Sequence, residues 1–219
     1  MPQRPARPER PTIVPPQGVK KRKVGAAPEG RIALLHALAH IELNAIDLAA
    51  DLIARFAAPE PTFADDWIRV LDEESRHFLL LAERLAALGA GYGDLPAHDG
   101  LWQAAEATSQ DLLARLAVVP LVLEARGLDV APAMIEKLEG AGDQESAAVL
   151  RVIYRDEIGH VAIGRRWFEI EALRRGLAPR ETWQALVREH FKGPLKPPFN
   201  DEARAAAGLP RSFYAELAA

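Results

Sequence analysis

Two short stretches, DEESRHF (residues 72–78) and YRDEIGH (residues 154–160), constrain this chain more than any others. Each sets a glutamate and a histidine three residues apart, Glu74 with His77 and Glu157 with His160, inside a run whose other spaced residues are apolar. In the first, Trp67, Leu71, Glu74, Phe78 and Leu81 succeed one another at helical steps; in the second, Ile153, Glu157, His160 and Trp167 do the same. Residues i and i+3 share a helix face, so both acid and imidazole point where the apolar residues point. The same test places Glu42 in line with Leu35, Leu38, Ile46 and Ala49, and Glu124 in line with Ala117, Pro120, Leu121 and Leu128. Four helices are thereby expected to carry one inward carboxylate each, and two of them add a histidine.

Isolated carboxylates in an apolar core cost several kcal/mol each and tend to protonate. A pair of divalent cations removes that cost. Four carboxylates and two neutral imidazoles suit two metal ions with coordination positions left open, iron first and manganese second. The order Glu, Glu-x-x-His, Glu, Glu-x-x-His is that of the di-iron carboxylate bundles. A single Glu-x-x-His carries little weight; the weight lies in its conjunction with apolar faces and with spacings of 32, 50 and 33 residues between successive glutamates. The competing reading is a set of satisfied core ion pairs.

Ala and Leu dominate while aromatics are sparse, which favours helix over sheet. Helices are expected over about 31–56, 63–88, 101–139, 143–175 and 179–190, with GAGYGDLPAHDG (89–100) as a loop and GAGD (140–143) as a turn. Pro120 is expected to kink the third helical region and Pro132 to kink or split it. The organisation expected is all-α: an extended basic arm over 1–30, a four-helix bundle over 31–176, and a C-terminal helix and tail over 177–219.

There is no cysteine, so thiolate ligation and thiol nucleophiles are excluded. The start is polar and proline-broken, no apolar run reaches membrane-spanning length, and a soluble cytoplasmic protein is expected. Residues 1–31 carry a net +6 and the remainder −10. That arm either contacts phosphates, RNA included, or lies as a strap on the acidic body.

The chain resembles the ferritin-like superfamily, and within it the bacterial family called domain of unknown function 455. GRIALLHALAHIELNAIDLAADLIARF, DEESRHF, LEARGLDVAPAMIEKL, YRDEIGHVAIGRRWF and HFKGPLKPPFN carry the resemblance, which covers nearly the whole chain. It implies a ferritin-like four-helix bundle, with Glu42 and Glu124 as outer ligands, Glu74 and Glu157 as bridging ligands, and one imidazole per metal from His77 and His160. It also points to Asp156 and Glu73, each preceding a motif glutamate, as acceptors that orient the histidine of the opposite helix; a solvated face is the alternative.

Tyr154, one turn before Glu157, either lines the site or donates to a ligand, or packs in the core. His36, His40, Asn44, Asp47 and Asp51 form a row about 160–200° from Glu42 and are expected on a polar outer face. His190 either caps the bundle or merely packs. Gly159 and Gly164 suggest either close backbone approach or local give near the site within the fourth long helix. No phosphate-binding glycine loop, nucleophile elbow or dinucleotide fingerprint is present. The expected function is an O2-activating oxidoreductase or hydroxylase with two metal ions, an unknown organic substrate and an unknown reductant, in a chain that could form a homodimer. The alternatives are a ferroxidase or iron-handling protein and a metal-stabilised interaction module without turnover.

Overall fold

The computed structural model describes residues 4–19, 24–25, 27–56 and 60–218. The described residues are mostly helical and include no β-strand, only the isolated bridges Ile13–Ala97 and Leu195–Ala218. The helices are α1 (Pro28–Arg55), α2 (Pro61–Ala87), α3 (Gly100–Ala107), α4 (Leu112–Val118), a π-helical segment (Val119–Glu124), α5 (Ala125–Gly140), α6 (Gln144–Arg174), α7 (Pro179–His190), α8 (Asp201–Ala206) and α9 (Arg211–Tyr214). Proline opens α1, α2 and α7, where its missing N–H would have had no helical acceptor. Asp111 and Asn200 cap α4 and α8, accepting from the N–H groups of Leu113 and Ala203. Beyond α6 the chain turns at Gly176, whose φ of 70° lies in the left-handed region that favours glycine.

The chain divides into two compact units, Met1–Gln103 with Ala133–Ile153, and Ala104–Pro132 with Tyr154–Ala219. In the first, α1 and α2 pack against each other. The buried stripe of α2 runs Trp67, Val70, Glu74, His77, Leu81, Leu85, a three-four repeat in which the acid and the imidazole occupy core positions. Asp143, just before α6, ties three helices together. It accepts from Arg84 of α2 at 3.0 Å, from Arg31 of α1 at 3.2 Å and from the N–H of Ser146 at 3.0 Å.

Helix α1 is buried on nearly every side, and here the sequence expectation fails. His36, His40 and Asn44 are 1%, 5% and 0% exposed, not an outer polar face. The loop over 89–99 and the N-terminal arm cover them. His36 Nε2 accepts from the N–H groups of Gly93 and Leu95, His40 Nδ1 hydrogen-bonds the Tyr92 hydroxyl at 2.8 Å, and Arg7 reaches Asn44 Oδ1 and Asp47 Oδ2 at 2.8 Å each. The arm is held by backbone hydrogen bonds, Val14 to the Ala97 carbonyl and Ala97 to the Thr12 carbonyl. Its described part is thus a strap on an acidic face, with Arg7 on Asp47 and Arg4 near Asp99. The basic run at 20–23 lies outside the described residues. Helix α1 is also long and apolar enough to cross a membrane by length and composition, contrary to the sequence expectation. Most of its apolar window, 61%, is buried within the protein.

In the second unit α7 packs on α4, and Trp183 is fully buried with its indole N–H donating to the Ala117 carbonyl. A Cβ on Gly164 of α6 would meet the Pro120 side chain at 2.3 Å, so α6 and the π-helical segment approach as closely as a glycine allows. The tail is clamped to α5: Arg204 makes two 2.7 Å bonds to Asp129, and Arg126 donates to the carbonyls of Lys196 and Pro198. The expected third helix is interrupted between α3 and α4, where Asp111 starts a new helix. At Pro120 the distortion is the π-helical segment, one residue wider per turn than an α-helix. Pro132, by contrast, neither splits nor ends α5, which runs through it to Gly140.

Candidate metal centre

Four residues, Glu42, Glu74, His77 and Glu157, each offer one donor atom, and these atoms all lie within 4.8 Å of one another. Glu42, Glu74 and His77 are 4%, 0% and 0% exposed, and the Glu157 side chain is 12% exposed. The packing of α1 on α2 places Glu42 opposite the Glu74–His77 turn, so that His77 Nδ1 stands 3.4 Å from Glu42 Oε2 and 3.4 Å from Glu74 Oε2. Burial alone would lower the His77 pKa. The two carboxylates outweigh it and raise the imidazole to about 10. The His77 proton therefore acts as the cation of this cluster.

That charge arrangement tests whether the residues fit a metal. The donors are carboxylate oxygens and an imidazole nitrogen, the hard and borderline set that takes Fe, Mn or Zn, and a divalent ion would offset the carboxylates' charge. They fit. Glu42, Glu74, His77 and Glu157 form a buried cluster that could hold a metal ion.

The other predicted ligands fall outside that four-donor group. His160 is fully buried one turn beyond Glu157, with Nδ1 3.6 Å from Glu157 Oε1. Glu124 is half-buried at the last residue of the π-helical segment. Of the orienting acids, Glu73 is half-buried 3.8 Å from Arg69 of its own helix, and Asp156 is half-buried on α6. The Tyr154 hydroxyl accepts from the Asn200 side chain at 2.9 Å, an anchor for the tail. His190 ends α7 at 3.7 Å from Glu189.

Sequence reasoning missed two charged residues that organise the surroundings. Arg115 is fully buried and donates to Thr108 Oγ1 and the Ala105 carbonyl, closing the break between α3 and α4. Asp143 is the three-helix tie; its position directly before a helical run was the available signal. The neutral His40 was hidden too: burial, with Arg7 nearby, lowers its imidazole to about 4.

The family model described as "Protein of unknown function (DUF455)" matches residues 1–215. The chain belongs to that family. An uncharacterized protein of Haemophilus influenzae is 45% identical over 213 residues, covering 92% of this chain and 72% of that protein. No solved structure matches the chain.

Proposed function

We propose that this DUF455 protein is a di-metal carboxylate oxidoreductase, with iron or an iron–manganese pair, acting with O2 on an organic substrate. The reading rests on one observation, the buried group Glu42, Glu74, His77 and Glu157 with its donors within 4.8 Å of one another. On this reading Glu124 and His160 would complete the ligand set by extension of the tandem motif, and a ferritin-like four-helix bundle is the fold it implies. Redox-active metal bound there would supply electrons to dioxygen.

The chain's own residues do the rest. Glu42 and Glu74 hold charge that needs no proton once a cation is present, and a bound cation would displace the His77 proton so that the imidazole could ligate. Full burial of Glu74, His77 and His160 keeps bulk water from the donors. Gly164 against Pro120 fixes the segment that ends at Glu124 relative to α6.

The test is to load the protein anaerobically with ferrous iron and mix it with oxygenated buffer, following O2 consumption and then iron content after gel filtration. Oxygen consumption with iron retained through repeated reduction cycles supports the oxidoreductase. Iron accumulating well beyond the ligand set would replace it with iron handling, and no oxygen consumption would replace it with a metal-stabilised module.

A further inference from the structure

The second unit holds a cavity of about 400 Å³ between the start of α5 and the tail segment after α7. This is within the range of small-molecule sites, roughly 300–1,000 Å³. Its apolar wall comes from Val122 and Leu123 of the π-helical segment and from Phe191, Leu195 and Phe199 of the tail. Its charge comes from Arg126, Lys192, Lys196 and Arg204 against a single carboxylate, Asp129.

That charge is unevenly spent. Asp129 is saturated: it takes two 2.7 Å bonds from Arg204 and one from the Asn200 N–H, and it is 6% exposed. Arg204 is thereby neutralised and buried, with its guanidinium 4.6 Å from the centre of the Tyr214 ring. Arg126 uses only Nη1, on two tail carbonyls and at 3.4 Å on Asp129; among the described residues nothing accepts from its Nε or Nη2. Lys192 and Lys196 are exposed on the rim with no ion pair among the described residues. An apolar pocket ringed by three cations with spare donors is complementary to an oxyanion attached to an apolar body.

We propose that this cavity binds a small amphiphilic anion, its carboxylate or phosphate head at Arg126, Lys192 and Lys196 and its apolar body against Leu123, Phe191 and Phe199. The rim is built for this: Arg126 both pins the tail through its carbonyls and keeps an edge of its fork for the head. Val122 and Leu123 immediately precede Glu124, so the occupied cavity lies against the segment that carries a proposed metal ligand. If the proposed function holds, organic acids or phosphate esters are its substrate class. That last step rests on the metal reading; the binding site itself does not.

The experiment is isothermal titration of the full chain, chelator-treated and metal-loaded in parallel, with octanoate, octyl phosphate and neutral 1-octanol as probes. Octanoate or octyl phosphate should bind, and whichever binds more tightly identifies the head. Octanol should bind more weakly by about tenfold, since it retains the apolar body but has no charge for the cations to meet. Lys192→Glu/Lys196→Glu should weaken the charged probe by about tenfold or more without changing the melting temperature, because both side chains are on the rim. Absence of binding by both anions, equal binding of octanol, or an unchanged affinity in the double variant would overturn the proposal. The chelator-treated arm reads the cavity alone, so its failure and a failure of metal uptake are separate results.

Discussion

At the residue scale, two glycines make opposite demands. Gly164 stands where a Cβ would meet Pro120 at 2.3 Å, whereas a Cβ on Gly127, inside α5, would meet nothing within 4 Å. Gly164→Ala should therefore destabilise the protein by about 1–3 kcal/mol through overpacking. Gly127→Ala should stabilise it by roughly 0.5–1 kcal/mol through the lost freedom of the unfolded chain. Thermal unfolding checks both; a stabilising Gly164→Ala would mean that the close approach is not there. The suspicion about Gly164 came from the sequence, because a glycine inside a strong helix needs a reason. The buried state of His36, His40 and Asn44 was not legible, because it depends on Tyr92, Gly93 and Arg7, residues far off in sequence that no local period can sense.

Among the elements, Asp143 joins α1, α2 and the start of α6. Burial would raise its pKa, but the Ser146 N–H and hydroxyl and the Arg84 guanidinium outweigh it and hold the carboxyl below its usual range. A folded pKa below the unfolded one means that the stabilisation is fully present above the unfolded value, about 3.9, and is lost as pH falls through the folded value. Asp143→Asn should accordingly be less stable than the parent at pH 7 by about 1.5–3 kcal/mol, the usual range for hydrogen bonds to a charged group. The gap should narrow as pH drops below 4. Denaturant melts of both proteins at pH 7 and pH 3 decide it, and a gap independent of pH would assign the tie to shape and not charge. Helix existence was readable at this scale: α7 spans 179–190 as its proline start and its pattern imply. The gap between α3 and α4 was not, because the apolar period runs on through it while a buried Arg115 and the Asp111 cap redirect the chain.

For the whole molecule, what the tandem Glu-x-x-His pattern made legible was burial: Glu74 and His77 sit at fully buried positions with Glu42 across from them. The cavity at the tail was not foreseen, because its wall joins the segment ending at Glu124 to residues some 70 positions later. If metal offsets repulsion among the buried carboxylates, chelation should lower the melting temperature while the helical circular dichroism persists, since the acids and His77 can share protons when empty. Equal melting temperatures with and without metal would show that the site contributes nothing to the fold.

The most direct measurement is the metal content of the purified protein by mass spectrometry, for the parent and for Glu74→Ala. About two ions per chain are expected in the parent and loss of most of both in the variant, because Glu74 lies within reach of the other donors of the cluster. An intact fold should be verified by circular dichroism in each case. Parent protein without bound metal after growth in iron and manganese, or a folded Glu74→Ala variant with full occupancy, would show that these residues do not hold a di-metal centre.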